Sequence, residues 1–174
     1  MQKKVLSEID IYSGEVKIPL DYKINRKEIF SSILYNCFIE LNKFKFDNTF
    51  KVNGSQPLGW YNTYIIEHAS FKYNLKIETI NQYGILLYPG ESLSLRNENN
   101  LNPAVNYTVL YGIEIPKNST KFVLNFKDRN IAKTYTEEIY DNKFIIFPST
   151  EDYSLTKNNS SNLICCLVSN YQKK

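Results

Sequence analysis

From Leu75 onward the chain is a series of short apolar, β-branched and aromatic runs, each closed by Gly, Pro, Asn or Asp, and this pattern constrains the fold most. Leu75, Ile77 and Thr79 alternate, Tyr83 to Tyr88 is apolar, and Tyr107 to Ile115 is a long β-branched and aromatic run. Lys121 to Phe126, Lys133 to Tyr140, Phe144 to Phe147 and Leu163 to Val168 follow. Runs of this length and composition predict strands. Strands with turn signals roughly every ten residues predict a sandwich or barrel. Strand and helix do not alternate, so a doubly wound parallel sheet is not expected.

The first 70 residues read differently. Ile9 and Ile11, then Val16, Ile18 and Leu20 after Ser13-Gly14, alternate as two strands would, with Pro19 and Asp21 closing the second. Asn25 stands three residues before Glu28 as in a capping box. Ile29, Phe30, Ile33, Leu34, Cys37, Phe38 and Leu41 then recur at helical spacing, which predicts one amphipathic helix over 26–43. Between 44 and 70 the signals conflict. Asn53-Gly54-Ser55 and Pro57-Leu58-Gly59 mark a loop, and Trp60-Tyr61 opens a stretch compatible with strand or short helix.

Composition narrows the function. The chain has 174 residues, the size of one domain, and a single histidine, His68, so no mechanism can draw two imidazoles from one chain. Its 21 basic and 18 acidic residues are interspersed, and only Arg26, Arg96 and Arg129 are arginines, so no nucleic-acid partner is expected. No apolar run approaches the ~18 residues of a membrane span. The Met-Gln-Lys-Lys start runs into polar residues, which predicts no signal peptide and synthesis in a cytoplasm. Cys165 and Cys166 are adjacent and would face opposite sides of a strand, so neither a disulfide framework nor a zinc site is expected. Asn alone supplies 21 residues, and with Lys, Ile and Tyr it marks an AT-rich coding sequence.

Phosphate-cradling and nucleophile-elbow motifs are absent. Glu137-Glu138 and Glu151-Asp152 are neighbours, and on a strand each pair would split between two faces.

Taken in order, Gly84-Ile-Leu-Leu-Tyr-Pro-Gly-Glu91, Arg96-Asn97-Glu98, Thr108-Val-Leu-Tyr-Gly-Ile-Glu-Ile-Pro116, Phe126-Lys-Asp-Arg129 and Lys143-Phe-Ile-Ile-Phe-Pro-Ser149 resemble the phage-type 2-oxoglutarate/Fe(II) oxygenases. Gly59-Trp60 and the tail from Lys157 to Asn170 are similar to flanking elements of that family. The resemblance implies an all-β jelly roll, or double-stranded β-helix, with one N-terminal helix. It also implies one domain over 1–174, with 1–70 as strands, helix and loop packed on the sheet and 71–174 as the jelly-roll core.

The resemblance further implies where an iron site would lie, and there the residues depart from the pattern. Arg96 stands where the first histidine belongs, Glu98 where the carboxylate belongs, and Tyr153 where the distal histidine belongs. No arginine follows Arg129 to hold the cosubstrate's far carboxylate. A remnant pocket of Arg96, Glu98 and Tyr153 is therefore expected, with no catalytic residue, metal or cofactor.

These readings predict a non-catalytic jelly roll that has lost oxygenase activity and serves as a virion or assembly component, held in a homo- or hetero-oligomer of protein partners. Two alternatives compete with it. One is an active oxygenase with an unusual ligand set of His68, Glu98 and Asp152. The other is a carbohydrate-binding module using Trp60 and exposed tyrosines as a stacking platform.

Overall fold

The β-rich pattern resolves into two antiparallel sheets facing one another. The computed structural model describes residues 2–6, 9–17, 25–40 and 48–174. In chain order these form β1 (Gln2–Leu6), β2 (Ile9–Glu15), α1 (Arg26–Glu40), β3 (Thr49–Lys51), α2 (Gln56–Tyr73), β4 (Ile77–Leu87), β5 (Leu93–Arg96) and the short α3 (Glu98–Leu101). They continue with β6 (Tyr107–Glu114), β7 (Thr120–Asp128), β8 (Ile131–Ile139), β9 (Lys143–Pro148), β10 (Asp152–Leu155) and β11 (Ile164–Lys173). The larger sheet runs β1-β2-β9-β6-β11-β4-β3 and the smaller β5-β10-β7-β8. From β4 to β11 the chain crosses repeatedly between the sheets, as a jelly roll requires.

The period-2 alternation of strand side chains sorts the apolar residues into two cores. Along β11, Cys165 and Leu167 face a core beneath α1 and α2, whereas Cys166 and Val168 face the space between the sheets. The inner core holds Ile85, Leu110, Phe122, Ile145, Phe147, Tyr153 and Leu155, all essentially inaccessible to solvent. Two glycines set close approaches. A Cβ at Gly84 would meet the Ile33 side chain of α1, and one at Gly112 would meet the Tyr140 carbonyl oxygen.

The expectation of a single N-terminal helix is corrected, because most of the ambiguous stretch before residue 70 forms α2. Ser55 caps α2 by accepting from the Leu58 N–H at 3.3 Å, Pro57 occupies its first turn, and Asn74 closes it in the left-handed region. The β-prone run Trp60 to Ile66 obscured this, but Leu58, Tyr61, Ile65 and Ala69 lie buried at helical spacing. In α1, Ile29, Ile33, Asn36 and Cys37 face inward, and the Asn36 amide donates to Lys51 O at 2.8 Å, tying the helix to β3. Phe38 points outward instead, 60% exposed. Residues 41–43 of the expected helix, and Ile18, Pro19, Leu20 and Asp21 of the expected second strand, lie outside the described residues. The Ser13-Gly14 turn is also corrected. β2 continues through these residues because Ser13 and Gly14 pair with Ile145 and Phe144 of β9.

Asparagine takes many of the tight corners. Asn74, Asn118, Asn130 and Asn142 all have φ between 53° and 67°, where a short polar side chain is tolerated better than most.

Candidate functional site

At one end of the space between the sheets, a carboxylate gathers donors from both. Arg96 ends β5 and is the Cα partner of Tyr153 on β10, so the small sheet holds these two side by side. Tyr83 comes from β4 and Asn170 from β11, both in the large sheet. Glu98 lies between them, only 3% exposed. It does not continue the strand as an i, i+2 partner of Arg96. Asn97 turns the chain into α3, its side chain accepting from the Asn100 N–H at 2.9 Å, and this turn brings Glu98 back over Arg96.

Every donor around Glu98 is accounted for. Its Oε1 accepts from Tyr153 Oη at 2.9 Å, from Arg96 Nε at 3.3 Å, and from Tyr83 Oη. Its Oε2 accepts from Asn170 Nδ2 at 3.0 Å. The two phenol oxygens lie 3.0 Å apart. Behind Asn170 the hydrogen bonds continue to Thr108 at 3.0 Å and from Thr108 to Ser149 at 2.8 Å. Burial of this kind is tolerated only when each polar group is partnered.

The electrostatics follow from that packing. Burial, and then the Glu98 charge, push the Tyr83 phenol well above its usual pKa. Burial and the neighbouring Tyr83 and Glu98 do the same to Tyr153, so both phenols remain protonated donors. Burial works against the Arg96 charge, but Tyr83, Tyr153 and Glu98 outweigh it and raise its pKa. The guanidinium also lies over the Tyr83 ring, 5.2 Å from its centroid.

Outside this cluster, Leu95, Arg96, Asn97, Asn100, Leu101 and Asp152 line an open cleft of about 410 Å³. Asp152 is oriented by Asn97 Nδ2 at 2.9 Å. On the inner side Phe122, Phe147 and Tyr153 pack ring against ring, with centroids 4.9 Å and 5.0 Å apart for the two adjacent pairs, and fill the barrel.

Arg96, Glu98 and Tyr153 thus share one buried cluster, and Tyr83 and Asn170 complete it. The sequence carried no motif for those two, since they enter from distant strands; only their place on inward-facing strand positions marks them. Trp60 is elsewhere. It lies partly buried on α2 against the outer core, on the face of the large sheet away from Glu98. His68 is on the same helix, stacked on Tyr64 with centroids 4.0 Å apart, and burial followed by the Lys72 charge lowers its pKa. The set His68, Glu98 and Asp152 is therefore not assembled.

No family model matches the sequence, and no curated protein matches it. Solved structures do. A 2OG-Fe(II) oxygenase-family oxidoreductase from Burkholderia pseudomallei is 8% identical with a TM-score of 0.50, covering 99% of this chain and 72% of its own. AviO1 from Streptomyces viridochromogenes Tue57 is 10% identical with a TM-score of 0.64, covering 93% and 89%. A Pseudomonas putida prolyl-4-hydroxylase is 7% identical with a TM-score of 0.61, covering 94% and 92%. The fold is that of the 2OG-Fe(II) oxygenases. At such identities the likeness establishes the double-stranded β-helix and nothing finer.

The expectation of a virion or assembly component is corrected by these similarities, because the structures sharing the fold include an oxidoreductase and a hydroxylase. Whether this chain's own residues suit iron is a separate matter. Ferrous sites of this fold class take two imidazoles and a carboxylate with open positions. The cluster offers one carboxylate, no imidazole and a guanidinium in contact with it, and its interior neighbours are packed rings. No group of three or more His, Cys, Asp or Glu side chains lies together among the described residues. The residues present do not fit the metal.

Proposed function

We propose that the protein uses the oxygenase-type barrel to recognise a small, neutral, hydroxyl-bearing organic molecule, a sugar or similar polyol, in the cleft outside Arg96 and Glu98. In this reading Arg96 and Tyr153 stand at positions where the family resemblance puts imidazoles, and recognition at the barrel mouth does not run through iron. The carrying observation is the composition of the cleft. Arg96 is already paired with Glu98, so Asp152 faces the cleft as a carboxylate held by Asn97 and free to accept from hydroxyl groups, while Asn97 and Asn100 add amide donors and acceptors. Leu95 and Leu101, 55% and 67% exposed, offer apolar area suited to the C–H face of such a molecule.

The test is an amide NMR titration with a panel of methyl glycosides and linear polyols. Perturbations confined to residues 95–101 and 152, abolished by Asp152→Ala, support the reading; a flat response across the panel overturns it.

A second reading, an iron-dependent oxygenase, is favoured by the position of Glu98 just past β5, where the resemblance places the carboxylate ligand, and by the enzymes that share the fold. Stoichiometric uptake in an anaerobic Fe(II) titration, with consumption of 2-oxoglutarate on admitting oxygen, would establish it in place of the first.

A further inference from the structure

Among the four groups that donate to Glu98, only Arg96 carries a charge. A carboxylate 3% exposed is costly to ionise unless a cation lies beside it. Here the cation is supplied by the chain, with its side chain 15% exposed and its guanidinium held between the Glu98 oxygen and the Tyr83 ring. Without that guanidinium Glu98 keeps three neutral donors, the two phenols and the Asn170 amide, none of which offsets its charge.

The strand register adds a second observation. Positions 96 and 153 are direct partners across β5 and β10, and both side chains reach the same Oε1 of Glu98. Donors placed at 96, 98 and 153 therefore converge on one point from one side, as a facial ligand set does.

We propose that the Arg96 guanidinium is the resident cation of this barrel, tethered in place of a bound metal ion, and that the Glu98 pocket accepts a divalent cation once the guanidinium is removed and imidazoles stand at 96 and 153. The proposal stands on the geometry of three positions and is independent of what the outer cleft binds.

Thermal denaturation and metal analysis after anaerobic dialysis against Co(II) test it on the full chain. The parent protein retains no Co(II), and its melting midpoint does not move. Arg96→Ala melts lower, and millimolar methylguanidinium raises its midpoint again. Arg96→His/Tyr153→His retains about one equivalent of Co(II), and adding Glu98→Gln to that variant removes it. If Arg96→Ala does not fold, the double variant carries the test alone. Cobalt uptake by the parent that Glu98→Gln abolishes overturns the proposal, and so does a folded double variant that retains no cobalt. An Arg96→Ala protein as stable as the parent overturns it as well.

Discussion

Tyr153 and Arg96 face each other across the β5–β10 pair and both direct a donor to one oxygen of Glu98. One strand pairing thus fixes both the charge balance of the cluster and the packing of the barrel interior, because the Tyr153 ring also closes against Phe147.

Removing the negative partner alone leaves Arg96 poorly compensated. Glu98→Gln is expected to cost about 3 kcal/mol, the low end for breaking a buried pair, since Arg96 keeps some contact with water. Arg96→Met/Glu98→Gln should recover much of that loss. Urea denaturation of Glu98→Gln, Arg96→Met and the double variant measures this, and a double variant at the sum of the single losses would show that the two residues do not act as a pair.

The hydroxyl and the ring of Tyr153 can be separated. Tyr153→Phe keeps the packing against Phe122 and Phe147 and should cost about 1–2 kcal/mol for the lost hydrogen bonds. Tyr153→Ala opens a cavity and should cost roughly 3–5 kcal/mol. Equal losses for the two would mean that the ring contributes no packing.

Gly84 and Gly112 should differ in whether they can be rescued. The nearest atoms to a Cβ at Gly84 all belong to the Ile33 side chain, so Ile33→Ala on the Gly84→Ala background should restore part of the stability. Gly112→Ala meets the Tyr140 carbonyl, which no side-chain change at position 140 removes. Chemical denaturation of the four proteins decides, with each single glycine change expected to cost about 1–3 kcal/mol.

The acid limb of stability should depend on Glu137. Burial raises its pKa, but bonds from Lys143 and Tyr135 outweigh it and hold the folded-state value below the ordinary 4.5. A depressed carboxylate adds stability that is complete above its unfolded pKa and is lost as pH falls through the folded value. The stability gap between the parent and Glu137→Gln should therefore be constant from pH 5 to 7 and close below about pH 4.5. A gap that does not narrow at all as pH falls below about 4.5 would locate the effect in packing rather than in charge.

Much of the barrel was legible because strand alternation is local. The runs at Tyr107, Lys121, Lys133 and Phe144 lie on β6, β7, β8 and β9. The helix over Trp60 was not, since its Tyr, Thr and Ile residues favour strands, and the Ser55 cap together with burial of Leu58, Tyr61, Ile65 and Ala69 outweighs that preference. Arg96, Glu98 and Tyr153 could be named from motif order, but Tyr83 and Asn170 could not. They join the cluster through contacts 15 and 72 residues apart along the chain, and no motif spacing carries a trace of those. The contact between Arg96 and Glu98 rests on the turn that Asn97 imposes.

The left-handed asparagines let the chain reverse direction with few glycines. Six glycines occur in 174 residues, and among the described residues Gly90 is the glycine with a positive φ, whereas four asparagines take that geometry. These corners therefore carry an amide side chain where glycine would leave none, which restricts the unfolded chain more than glycine would.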